Sequence, residues 1–190
     1  YEAWGLERLL KRVRGMYAFV LHDTRRGETH LARDPLGKKP LFFRCAGGEL
    51  VFASSARALA RGLGSPPEID PRAVLDLLWD KCIPGPRSIF VGVEKLLPGH
   101  ALSVGRDGSR RDFVHWRPDF CHPEPGVDAE EWLERIEAAL DTAVRRRLVA
   151  DVPVGVLLSG GVDSSLVTAA AARAVGSVRT FAVAADDPAI

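Results

Sequence analysis

Residues Val152–Ser165 read VPVGVLLSGGVDSS, and the fold is read outward from this stretch. Val154 to Leu158 is an apolar run, broken only by Gly155 and rich in β-branched residues. That pattern predicts a strand buried on both faces of a parallel sheet. Pro153 stands at its start, where a missing N–H is tolerated. The run stops at Ser159-Gly160-Gly161. Asp163, Ser164 and Ser165 then lead into Leu166, Val167 and a run of alanines, which predicts a helix from Ser165 to Val175. A strand, a tight glycine turn and a helix in that order make an anion site. The glycines let backbone N–H groups approach an oxyanion, and the helix N-terminus adds its unpaired donors and dipole.

The spacing narrows the choice. The common phosphate loop has four residues between its glycines and a lysine after the second. Here the glycines are adjacent and no lysine follows. A dinucleotide fingerprint, G-x-G-x-x-G, is absent as well. SGGVDSS instead resembles the pyrophosphate loop of the ATP-pyrophosphatase superfamily, whose members activate a carboxylate or carbonyl as an adenylate and release pyrophosphate. An ordinary Gly-Gly turn is the alternative for SGG alone; the complete strand–SGGxDS–helix context favours the loop.

After the loop helix comes a second strand, Arg179 to Ala184, completing a β-α-β unit with a parallel sheet implied. Before the motif, Asp128 caps a helix whose apolar series is Trp132, Leu133, Ile136, Leu140, Val144 and Leu148. Arg145, Arg146 and Arg147 close it, where they complement the helix dipole. The stretch Cys121–Gly126, CHPEPG, reads as a linker.

Ahead of the linker the pattern differs. Glu2 to Arg12 has helical spacing. Met16–His22 and Glu28–Arg33 form one hairpin, and Leu41–Arg44 and Glu49–Ala53 another. Ala101–Val104 pairs with Arg111–Trp116 in a third. Arg33 and Asp34 open the turn Asp34-Pro35-Leu36-Gly37 and are read as structural. Ser54 or Ser55 caps a short helix, Ala56–Arg61. Asp70-Pro71 starts another, with Val74, Leu75, Leu78 and Trp79 on its apolar face. Short strands joined by tight loops indicate an antiparallel sheet.

The 190 residues are 46% hydrophobic and 27% charged, with a net charge of +1. This is an ordinary globular mix with no electrostatic footprint for nucleic acid or an anionic membrane. No apolar run approaches a membrane span, and the first residues lack a signal-peptide pattern. Cys45, Cys82 and Cys121 are odd in number and form no C-x-x-C pair, which fits thiols in a reducing cytoplasm better than zinc or disulfides. The chain opens without methionine inside a helical pattern and stops just after a strand, so it reads as an internal fragment.

Six stretches, in order, resemble glutamine-hydrolysing asparagine synthetases: RGMYAFVLHD, RDPLGKKPLFF, ELVFASSARAL, IFVGVEKLLPGHAL, DVPVGVLLSGGVDSSLV and TFAV. The resemblance implies two domains. Residues 1–122 would be the later part of a type 2 glutamine amidotransferase, an α+β antiparallel N-terminal-nucleophile fold of αββα type, incomplete. Residues 123–190 would open an α/β Rossmann-like parallel sheet of the ATP-pyrophosphatase type, also incomplete. The implied chemistry is amidation of aspartate through β-aspartyl-AMP, with ammonia from glutamine and release of AMP and pyrophosphate.

On that resemblance Ser159, Gly160 and Gly161 bind the pyrophosphate portion of ATP, with Ser164 and Ser165 adding donors. Asp163 is assigned to Mg²⁺, since a carboxylate beside polyphosphate calls for a metal between them; helix capping is its alternative. Leu158 and Val183 end adjacent strands and flank the adenine. The implied partners are aspartate, glutamine and ATP, with no nucleic acid and no membrane, and with a homodimer left open. The family nucleophile, a cysteine at the mature N-terminus, is not in this chain, so no catalytic residue is assigned and the fragment is expected to be inactive. Where the family more often has glutamate, this chain has Ser55. Other readings are an amidotransferase or β-lactam-type cyclase acting on another carboxylate, and a non-catalytic binding module.

Overall fold

The computed structural model describes residues 1–121 and 124–183. Two compact units divide the chain, the first running from Tyr1 to Asp119 and the second beginning at Phe120.

The first unit opens with helix α1 (Gly5–Arg12), followed by strands β1 (Ala18–Asp23), β2 (Glu28–Arg33), β3 (Phe42–Ala46) and β4 (Glu49–Ala53). Two helices, α2 (Ala56–Gly62) and α3 (Pro71–Asp80), precede β5 (Glu94–Lys95), β6 (His100–Val104) and β7 (Arg110–Val114). The strands form two antiparallel sheets, ordered β1-β2-β6-β7 and β4-β3-β5. All three expected hairpins are present, with registers such as Val20 opposite Leu31 and Phe43 opposite Phe52, and β2 also pairs with β6.

Strand alternation explains the layering, because successive side chains point to opposite faces. Leu31 and Leu102 pack with Leu41, Phe43 and Leu96, joining the two sheets. The next residues, Ala32 and its partner Ala101, face the other way and bury Leu6 and Leu10 of α1. Small residues under the helix and large ones between the sheets set the two spacings. Phe43 is 1% exposed, and truncating such a residue to alanine costs about 3–5 kcal/mol. Helix α2 lies against β3 and β4, and its Leu59 is buried. Its N-cap is Ser55, whose hydroxyl accepts from Ala58 N–H.

Helix α3 departs from expectation. Asp70 caps it by accepting from Arg72 N–H and Pro71 starts it, as the sequence indicates. Its buried residue is Ala73, however, while Leu75, Leu78 and Trp79 are exposed. The helix is tied at its N-cap by Asp70 N–H to Ile89 O and at mid-length by the Arg87–Asp76 ion pair, while most of its apolar face stays open.

In the second unit the elements are α4 (Ala129–Arg147), β8 (Gly155–Leu157), α5 (Val162–Val175) and β9 (Arg179–Phe181). Strands β8 and β9 are parallel, with α5 as the crossover. Asp128 caps α4 by accepting from Glu131 N–H. The later half of the α4 series, Leu140, Val144 and Leu148, packs with Val156 and with Val167, Ala170 and Ala171 of α5. The earlier half, Trp132, Leu133 and Ile136, is exposed.

Three expectations for the motif region are corrected. The strand is not buried on both faces: Val156 meets the helices, whereas Leu157 is 79% exposed. Gly155 has a packing reason, since a Cβ there would stand 2.5 Å from the Phe181 ring. The loop helix begins at Val162, three residues before Ser165, because Gly161 serves as its N-cap in extended conformation. The closing strand ends at Phe181, and Ala184 lies outside the described residues. Among the described residues no helix is long and apolar enough to cross a membrane.

Candidate functional site

The turn after β8 exposes its backbone. Leu158 lies one residue beyond the strand and donates its N–H to Phe181 O at 2.8 Å, the last link to β9. Ser159, Gly160 and Gly161 are exposed. Gly160 has φ +82°, a left-handed conformation that favours glycine. Gly161 is different. Its φ is −76°, and a Cβ added there would meet nothing closer than Ser159 Oγ at 3.6 Å. Nothing in the chain's own packing asks for glycine at this position.

Hydroxyls brace the loop. Ser159 N–H donates to Ser164 Oγ at 3.3 Å, and the Ser159 and Ser164 hydroxyls lie 3.1 Å apart. Ser164 Oγ and Ser165 Oγ both donate to Gly161 O, at 3.0 and 2.8 Å. The Ser165 N–H also reaches that carbonyl, at 3.1 Å. The two hydroxyls expected to face an anion thus close the helix start on itself in this structure. The N–H groups of Val162, Asp163 and Ser164 open α5 and have no intrahelical partner, as in any first helical turn.

Asp163 sits in that first turn, exposed. It does not cap the helix, because the N-cap is Gly161 and no side chain caps it. Among the described residues no hydrogen bond or ion pair engages its carboxylate. An unpartnered carboxylate beside unpartnered N–H groups suits a cation held between protein and a polyphosphate. Val183 lies two residues beyond β9 and is 99% exposed. The structure therefore places Leu158, Ser159–Gly161 and Asp163–Ser165 around one turn, with Val183 just past the end of the neighbouring strand. Arg145, Arg146 and Arg147 occupy the last turn of α4, where Arg147 donates to Ala143 O.

In the first unit the Arg33–Asp34 turn is closed. Asp34 is 1% exposed and accepts from the N–H groups of Leu36, Lys38 and Lys39 at 2.9–3.2 Å. Burial pushes its carboxyl upward, and the backbone donors, Lys39 first, outweigh that and hold it below the usual range. Arg33 donates to the carbonyls of Lys39, Leu96 and Gly37 at 2.6–2.8 Å. The structural reading of this pair stands. The three cysteines are exposed. No cluster of metal-ligating side chains occurs among the described residues.

One group of residues carried no local signal in the sequence. Tyr1, Asp23, His30 and Ser103 are joined by hydrogen bonds across 22 to 73 positions. Only the pairing of β2 with β6 brings His30 opposite Ser103.

The comparisons with known proteins agree with this two-part organisation. Residues 1–116 match the family model described as a glutamine amidotransferase domain, and residues 135–189 match that described as asparagine synthase. The chain belongs to the glutamine amidotransferase domain family. A Mycobacterium bovis protein carrying a provisional asparagine synthetase (glutamine-hydrolyzing) name is 35% identical over 95% of this chain and 28% of its own length. Asparagine synthetase (glutamine-hydrolyzing) 3 of Bacillus subtilis is 33% identical over 90% of this chain and 28% of its own. Amidase chyE of Penicillium rubens is 36% identical over 88% of this chain and 24% of its own. The chain thus spans about a quarter of the length of these relatives. Among solved structures, glutamine phosphoribosylpyrophosphate amidotransferase from B. subtilis is similar over 93% of this chain and 34% of that one. Identity there is 18% and the TM-score 0.39, too low to carry an argument.

Proposed function

We propose that the complete protein is an ATP-dependent, glutamine-hydrolysing amidotransferase that converts aspartate to asparagine through β-aspartyl-AMP, releasing AMP and pyrophosphate. On this reading the first unit is the later part of an N-terminal-nucleophile glutaminase of αββα type. The second opens an ATP-pyrophosphatase domain of Rossmann-like type, with the boundary near residues 122–123.

The observation that carries the reading is Gly161. A glycine that the chain's own packing does not require, at the N-cap of an uncapped helix, leaves space for an oxyanion against the backbone. Ser159, Gly160 and Gly161 would take the pyrophosphate portion of ATP. Ser164 and Ser165 would turn from Gly161 O toward it. The Ser165 N–H already satisfies that carbonyl, so the exchange does not orphan it. Leu158 and Val183 would flank the adenine. Asp163 would hold Mg²⁺, which supplies charge neutralisation for the phosphates. The acceptor carboxylate would attack the α-phosphorus of ATP with loss of pyrophosphate, and ammonia would then displace AMP from the acyl carbon.

A second reading keeps the fold and the loop and changes the acceptor. It is favoured by the similarity to a relative named an amidase rather than a synthetase. Pyrophosphate–ATP exchange by the complete protein with Mg²⁺ separates the two. Exchange that requires aspartate is expected. Exchange that ignores aspartate and responds to another carboxylate would transfer the assignment to that second reading.

A further inference from the structure

His30 on β2 is 4% exposed and touches groups from several elements of the first unit. Its Nδ1 lies 2.8 Å from Ser103 Oγ on β6, and its Nε2 lies 3.1 Å from Tyr1 Oη, just ahead of α1. Tyr1 Oη in turn donates to Asp23 Oδ2 at 2.8 Å. An ionised carboxylate only accepts, so the single hydrogen of the tyrosine is committed to Asp23. Tyr1 Oη therefore accepts from His30, which puts the imidazole hydrogen on Nε2. Nδ1 is left as an acceptor, and Ser103 donates to it. One carboxylate fixes the direction of the whole chain, Ser103 to His30 to Tyr1 to Asp23.

A second proton has one place to go, Nδ1, where Ser103 now points its hydrogen. The resulting cation also gains a better acceptor than a neutral phenol. Glu28 Oε2, two residues away on the same face of β2, is 3.6 Å from the same Nε2. Of the charged groups around the ring, Glu28 and Asp23 favour the cation, while Arg111 on β7 and Arg26 in the β1–β2 loop oppose it. Burial opposes it most and holds His30 below the ordinary imidazole range. Relief of that burial means moving what covers the ring. The Tyr1 ring lies over it, 5.4 Å between centroids. Tyr1 is tied to α1 through Gly5, whose N–H donates to Tyr1 O and whose φ is +71°. Tyr1 and Asp23, with Arg25 and Arg26, also line an open cavity of about 730 Å³.

We propose that Tyr1, Glu28 and His30 form a proton-operated clasp. With His30 neutral, Nε2–H holds Tyr1 against the sheet. With His30 protonated, Nε2–H passes to Glu28, the Tyr1 segment lifts from β2, and the adjacent cavity widens. One proton linked to one opening step makes the opening constant rise about tenfold per pH unit below the open-state pKa, until the closed state also titrates.

Two measurements on the complete protein test this. Ring ¹⁵N NMR at neutral pH is expected to find His30 as the Nε2–H tautomer. Amide hydrogen exchange of Gly5, whose N–H is bonded to Tyr1 O, corrected for intrinsic rates, is expected to lose protection in step with His30 titration. Glu28→Gln, an isosteric change at a half-buried position, should delay that loss to lower pH, because a neutral amide competes poorly for the imidazolium. An Nδ1–H tautomer, or protection that stays constant while His30 titrates, would overturn the proposal. So would loss of protection at the same pH in Glu28→Gln.

Discussion

Two turns in this chain are built from the same materials and end in opposite states. The first, Arg33–Lys39, and the second, Ser159–Ser165, each combine an aspartate, glycine in left-handed conformation and a run of backbone N–H groups. In the first, Asp34 is buried and takes three of those N–H groups, while Arg33 takes three carbonyls. In the second, Asp163 is exposed and takes none, and Gly161 has room it does not use. A turn whose polar groups are spent internally is scaffold. A turn that leaves a carboxylate and helix-opening donors unspent has them available to a ligand, as the proposed function requires.

The sharpest test of the contrast is the aspartate pair. Asp34→Ala leaves three N–H groups without their acceptor, and its expected cost is about 4 kcal/mol in urea unfolding. Asp163→Ala should stay within about 0.5 kcal/mol, because it breaks nothing. Equal costs would erase the distinction. The glycines give the next largest difference. A Cβ at Gly37, where φ is +63°, would stand 2.7 Å from Pro98 and 3.0 Å from the Arg33 guanidinium. Gly37→Ala should cost about 3 kcal/mol by strain and overlap. Gly161→Ala should leave the melting temperature of the free protein unchanged or slightly raised.

Acid provides a third comparison. The Asp34 carboxyl is held below its ordinary value of 3.8 in the folded chain. Its contribution is therefore full above the unfolded value and is lost as pH falls through the folded one. Stability measured from pH 5 downward should decline in the wild type, and decline less steeply in Asp34→Asn. The smallest expected effect is Ser165→Ala. Its hydroxyl duplicates a bond that its own N–H makes to Gly161 O, so stability should change by less than about 0.5 kcal/mol.

Much of this was legible in the residues, for local reasons. Asp70-Pro71 and Asp128 specify helix starts by side-chain geometry alone, and both cap as read. The hairpins follow from alternation and turn residues, and all three are present. Helix α5 was read three residues short, because Gly161 gives no side-chain capping signal while still adopting the N-cap conformation. The faces of α3 and β8 were misjudged for a different reason. An apolar stripe records that a face can be buried and says nothing about what buries it, and here Leu75, Leu78, Trp79 and Leu157 stand exposed. The loop residues Leu158–Ser165 were legible as a group because one strand, one turn and one helix hold them. The His30 clasp was not, since its partners come from separate elements and meet only in the folded sheet.

The most direct measurement is ATP binding by the complete protein with Mg²⁺, comparing wild type with Gly161→Ala by calorimetry. The free chain tolerates a Cβ at that position, so the variant should fold and melt like the wild type. An oxyanion seated against the backbone does not tolerate it, and binding should be lost. A variant that binds ATP as the wild type does would show that the turn is an ordinary strand–helix connection and would contradict the assignment of the site.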